Sequence, residues 1–290
     1  MVSAVLARPG RSSRLVSAVR EVTGEVRRAQ RGHDSWILSA GVTFYALVAL
    51  VPALVVSARL IAFLVGRLRL LQLADAVAAA LPAAQGAGAV VQTLVQRSAG
   101  VGWLTVVVAL VPATVWGEGL RRGFTRVTPS SGEPGRFVGW RSRIAVLPLL
   151  LLSPAGLLAV LEVAPLLAHL FGDGGFWPGA LAVYIALNVD WVVISVALAY
   201  VYRVLSPVRP SWQAILGGAF FTGAFMSGFL QGFVLFLAIP VDLGAPFGGF
   251  VPVGGAVAGA LWLWLFTALT VIGYSITLGL DTRRRRLANP

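Results

Sequence analysis

The sequence predicts an all-α polytopic membrane protein with six transmembrane helices and a short outer amphipathic helical hairpin between helices 1 and 2. Three observations carry this expectation. The first is composition: 58% of the 290 residues are hydrophobic and 12% charged, with a mean hydropathy of +0.85, whereas a soluble surface needs roughly twice that charge. The second is segmentation. Six apolar stretches, at about 36–60, 101–119, 144–168, 178–202, 212–239 and 250–279, meet or approach the roughly 20 residues that cross a ~30 Å hydrocarbon core. The third is the placement of charge. All 23 basic residues are Arg, and they gather in alternate connections, as residues on the cytoplasmic side of a membrane protein do.

Arg residues recur through the first 31 residues, with no apolar core ahead of a cleavage site, so the segment reads as a basic cytoplasmic arm rather than a signal peptide. From about Leu15 to Arg28 the arm suits an amphipathic surface helix or a solvated tail. Residues 32–281 form the membrane domain and 282–290 a basic cytoplasmic tail. With both termini cytoplasmic, the inner connections hold Arg121, Arg122, Arg126, Arg136, Arg141, Arg143, Arg203, Arg209 and Arg283 to Arg286, while the outer ones hold Arg67, Arg69 and Arg97. The net charge of +12 therefore points to lipid head groups as partners, with no nucleic acid expected. Arg121, Arg122 and Arg126 are the candidates for head-group binding.

The spans carry features that soluble helices avoid. Pro52 interrupts the first, Pro112 the second, and Pro148, Pro154 and Pro165 the third. Each removes a backbone hydrogen bond and tends to kink its helix. Between the first two spans, residues 67–100 show apolar residues at helical spacing, such as Leu68, Leu71, Ala74 and Val77. Pro82 and Gly86 divide this stretch into two short helices, which either cap a cavity or simply pack. The fifth span contains Gly218, Gly223, Gly228 and Gly232, and the sixth Gly255 and Gly259. The Gly-xxx-Gly pairs 228/232 and 255/259 fit a seam between the last two helices or a homo-oligomer face.

The stretch "LAVYIALNVDWVVISVALAY" places Asp190 near the centre of the fourth span. Insertion there costs about 2.5–3.5 kcal/mol, so the carboxyl group should face the bundle interior, either protonated or beside a polar partner. Asn188 stands two residues away on the same helix, a poor pairing geometry. Ser195, Thr222, Ser227 and Gln231 are better placed. Asp190, Glu162, Gln231 and Asn188 are accordingly the candidates for a substrate or proton site, with a hydrogen bond that only locks helices as the competing reading. Glu118 beside Arg121 and Arg122 reads as an interfacial ion pair.

Three motifs resemble the YihY/BrkB family of inner-membrane proteins. "LSAGVTFYALVALVPALVV" is similar to its first-helix signature, with Tyr45 and Pro52. "AYVYRVLSP" resembles its turn after the fourth helix, with Tyr202, Arg203 and Pro207, and "FGGFVPVGGAVAGALWLWLF" its last-helix entry, with Trp262. The resemblance spans about residues 31–281 and implies an inner-membrane protein of six helices in a family with no settled activity, whose members have been labelled virulence factors, transporters or a ribonuclease. The family often carries a small residue and a glutamate late in the final helix. Here "IGYSITLGLD" has Tyr274 and Ser275, so no role of that glutamate carries over.

Several chemistries are not expected. There are no cysteines, and His33 and His169 lie far apart, so neither a metal site nor a cofactor is anticipated. The 120–143 connection offers only Glu133 as a carboxylate, too little for metal-assisted phosphodiester hydrolysis. No Ser/His pair is visible in the spans, and the expectation is a non-enzyme. The two readings left are a translocator of a lipid or other amphipathic envelope component and a non-transporting scaffold for envelope machinery.

Overall fold

The computed structural model describes Gly24 and residues 35–81, 85–128, 140–152 and 176–288, and among them every long element is a helix. They are α1 (Ser35–Val65), α2 (Arg67–Ala80), α3 (Ala87–Ala99), α4 (Trp103–Ala113), α5 (Val115–Val127), α6 (140–152), α7 (Phe176–Val204), α8 (Trp212–Ala238) and α9 (Val251–Ala288). Among the described residues, five stretches are long and apolar enough to cross a membrane: α1, the α4–α5 pair, Tyr184–Val204 within α7, α8 and α9. The expected third span is helical over 140–152 and otherwise falls outside the described residues, as does the arm apart from Gly24.

Polar side chains enter these apolar helices by bonding to their own backbone. Ser39, Thr43, Thr222, Thr267, Thr270, Ser275 and Thr277 each donate to the carbonyl four residues earlier. That satisfies a hydroxyl where no water is available.

Two helices extend beyond their apolar stretches. The second expected span stops near residue 119, yet α5 continues to Val127. Thr114 separates α4 from α5, two residues after Pro112, and its hydroxyl donates to Val111 O. The tail expected to begin at 282 continues α9 without interruption to Ala288. Arg285 donates to Asp281 one turn earlier (2.9 Å), and cations at a helix carboxyl end favour the helix.

Helix α8 packs between α7 and α9, α9 lies against α1 and α5, and α1 against α4 and α5. The main core centres on Phe124, which stacks on Tyr274 (4.1 Å between centroids) and meets Tyr202 at 5.8 Å. A second cluster joins Ala58, Ile61 and Ala62 of α1 to Leu70 of α2 and Ala99 of α3. Helices α2 and α3 pack on each other, and Gln92 donates to Asp75 (3.0 Å). Gly86, in the left-handed region (φ 65°), sets the entry to α3. Beside it, the Gln85 amide donates to Ile239 O (2.8 Å) and Val241 O (3.0 Å) in the α8–α9 connection.

The close approaches between α7, α8 and α9 are not at the Gly-xxx-Gly pairs. A Cβ on Gly218 would meet Thr277, one on Gly223 would meet Ser195, and one on Gly273 would meet Thr222 and the Tyr202 hydroxyl. Among the described residues, Gly228, Gly255 and Gly259 have nothing within 4 Å of such an atom, and Gly232 has only the Trp262 ring at 3.6 Å. The seam is built where a glycine faces a small hydroxyl residue.

Candidate functional site

Asp190 is the midpoint of α7, fourteen residues from either end, so the helical rise puts it ~21 Å from both. It is half-buried, and Gln231 of α8 donates to its Oδ2 at 3.4 Å. That is long for an amide-to-carboxylate bond. Asn188 is turned away from it, donating to Tyr184 O one turn back (2.8 Å). Glu162 lies outside the described residues. The structure thus brings Asp190 and Gln231 together and leaves Asn188 apart.

Neighbouring groups fix the α7–α8 interface around this pair. The Trp191 indole donates to Phe220 O (2.8 Å) and meets the Phe220 ring edge-on. Ser195 is fully buried against Gly223, and among the described residues its Oγ has no hydrogen-bond partner.

Glu118 is far more enclosed than an interfacial ion pair. It is 4% exposed. Arg121 grips both its oxygens (2.8 and 2.9 Å), Arg122 Nε donates to Oε1 (2.7 Å), and Ser142 of α6 donates to Oε2 (2.8 Å). The glycines around it let the helices close: a Cβ on Gly119 would lie 2.6 Å from Tyr45 Cβ, and one on Gly117 2.6 Å from Ser142 O. Sequence reasoning missed these glycines, although "VWGEGLRRGF" sets small residues on both sides of the carboxylate. Of the three arginines expected to meet head groups, Arg121 has a side chain only 11% exposed and committed to Glu118. Arg122 and Arg126 remain exposed.

The other motif residues serve the packing. Tyr202 is fully buried and donates to Thr270 O (3.0 Å). Arg203 donates to Pro210 O (3.3 Å) and lies over the Trp212 ring. Pro207 is exposed, and Pro210 is the buried proline of that turn. Trp262 gathers Phe229, Phe233, Phe236 and Phe266, and Pro52 is half-buried within α1. Tyr274 is buried, with its hydroxyl 2.6 Å from Ser206 Oγ and 3.2 Å from Thr128 Oγ1. Asp281 accepts from the Ser211 amide (2.8 Å) at the start of α8 and from Arg285. Among the described residues no group of three or more His, Cys, Asp or Glu is arranged to hold a metal ion.

Long apolar helices joined by inward-facing polar contacts define an α-helical, polytopic membrane protein. The Virulence factor BrkB family model matches residues 27–290, nearly the whole chain, and the protein belongs to that family. No curated protein and no solved structure matches it.

Proposed function

We propose that this protein moves or presents an amphipathic envelope component, such as a lipid, across the cytoplasmic membrane along a polar path containing Asp190 and Gln231. It does so as a six-span protein with both termini cytoplasmic, in contact with membrane lipids and without a catalytic step. One contrast carries the reading. Glu118 and Asp281 are each held by several short hydrogen bonds, whereas Asp190 has one long contact among the described residues. A carboxyl group that only locks helices is expected to be fully bonded like the first two. A loosely held one in mid-span suits a group that exchanges a proton or ligand.

Asp190→Asn keeps the shape and a hydrogen bond to Gln231 but removes titration. We expect it to lower complementation of a deletion strain, and lipid movement in reconstituted vesicles, by at least about tenfold, with the folded yield unchanged. Full activity of Asp190→Asn together with Asp190→Ala would remove Asp190 from the mechanism and favour the scaffold reading. The orientation has its own test, since the chain has no cysteine to remove. Arg97→Cys should react with an impermeant maleimide in intact spheroplasts, and Arg284→Cys only after lysis. The reverse pattern would invert the topology.

A further inference from the structure

We infer that Arg59 and Trp103 form a binding site for the phosphodiester of an anionic lipid, in the leaflet at the Val65 end of α1. Nothing in this inference depends on Asp190. Arg59 stands six residues before Val65, about 9 Å along the helix. Its surroundings face outward: Phe63 is 67%, Trp103 46% and Leu104 78% exposed, which in a bilayer means contact with acyl chains.

The Arg59 guanidinium carbon lies 4.9 Å from the Trp103 ring centroid, and Phe63 meets that ring edge-on at 5.5 Å. The ring fixes the guanidinium plane. Arg59 Nε is shut off from solvent and, among the described residues, has no hydrogen-bond partner, and Arg59 joins neither the Glu118 nor the Asp281 ion pairs.

Arg203 makes the informative comparison. It too lies over a tryptophan, 5.0 Å from Trp212, but it donates to Pro210 O. Among the described residues the same pairing is thus closed by a protein carbonyl on α7 and left open on α1. An unanswered guanidinium beside hydrocarbon is costly, and its apolar stem is long enough to carry the charge to the head-group level. There the abundant acceptors are lipid phosphates, whose paired oxygens suit the two terminal Nη groups of the guanidinium, Nε being enclosed by the protein. Arg67, exposed at the start of α2, adds positive potential at this end.

The test is native mass spectrometry of the full chain from micelles containing equal phosphatidylglycerol and phosphatidylcholine. Wild type should retain one phosphatidylglycerol, and Arg59→Gln should lower that retention about fivefold. Arg59→Lys and Trp103→Leu, which keep the charge, should give smaller losses, and they carry the test if Arg59→Gln does not fold. Equal retention by wild type and all three variants overturns the proposal. So does displacement of the lipid by an equal concentration of orthophosphate, which would make this a soluble-anion site. Glu162→Gln should leave retention unchanged. A severalfold rise would mean that Glu162 normally answers Arg59, and would also overturn the proposal.

Discussion

Glu118→Ala is expected to lower stability by about 3–5 kcal/mol, the range for breaking a buried ion pair from one side. This is a large share of the stability of an ordinary domain, so folded protein should largely disappear from the membrane fraction. The loss comes chiefly from Arg121. Its side chain is 11% exposed and both its bonded nitrogens point at Glu118, so the substitution leaves a cation enclosed without an anion. Arg122, 58% exposed, is returned to water and contributes little. Ser142→Ala, which removes one donor from α6, should cost only about 1 kcal/mol. The double variant Glu118→Met, Arg121→Met leaves no buried charge and should recover more than half of the single-variant loss. Denaturant titration in detergent distinguishes these outcomes. A loss below about 1 kcal/mol for Glu118→Ala would mean that water reaches Arg121 and that the cluster is not enclosed.

Gly273→Ala is expected to cost about 3 kcal/mol, the upper part of the range for overfilling a packed core. The added methyl would meet two groups that are themselves held. Thr222 Oγ1 donates to Gly218 O (2.7 Å), and the Tyr202 hydroxyl donates to Thr270 O (3.0 Å). Neither can move without giving up a hydrogen bond in a buried place. Gly255→Ala supplies the comparison. It lies on an exposed face with nothing among the described residues within 4 Å of the new atom, and the change should stay within about 0.5 kcal/mol of neutral. Melting temperatures of the two variants in the same detergent provide the measurement. Equal melting would place the helix seam elsewhere.

Much of the helix pattern was legible because hydropathy reports directly which segments suit lipid. The starts at Ser35, Trp103, Phe176, Trp212 and Val251 fall within two residues of those expected. The ends of α5 and α9 were not legible in the same way, because beyond the apolar stretch they are sustained by Glu118 with Arg121 and Arg122, and by Asp281 with Arg285. Hydropathy counts such residues against a span, while their pairing favours the helix. The neighbour of Asp190 could be narrowed to Gln231 and a few hydroxyl residues, since few polar groups exist on the adjoining helices. Glycine spacing was less informative. Gly228/232 and 255/259 have the right interval, but an interval does not name the facing surface. The contacts fall at Gly218, Gly223 and Gly273 because Thr277, Ser195 and Thr222 stand opposite.

The Gln85 amide has a mechanical consequence. Its two bonds to Ile239 and Val241 flank Pro240, which has no N–H of its own to offer. They join parts of the chain 154 residues apart, while the base of the same helix pair is rooted on α1 through Leu70 and Ala99. A load applied to the tip between α2 and α3 therefore reaches the chain just beyond the end of α8 through the Gln85 side chain. Through the α2–α3 pair, α1 and the end of α8 share that load at this end, and a displacement of one is felt by the other without passing along the polypeptide between them.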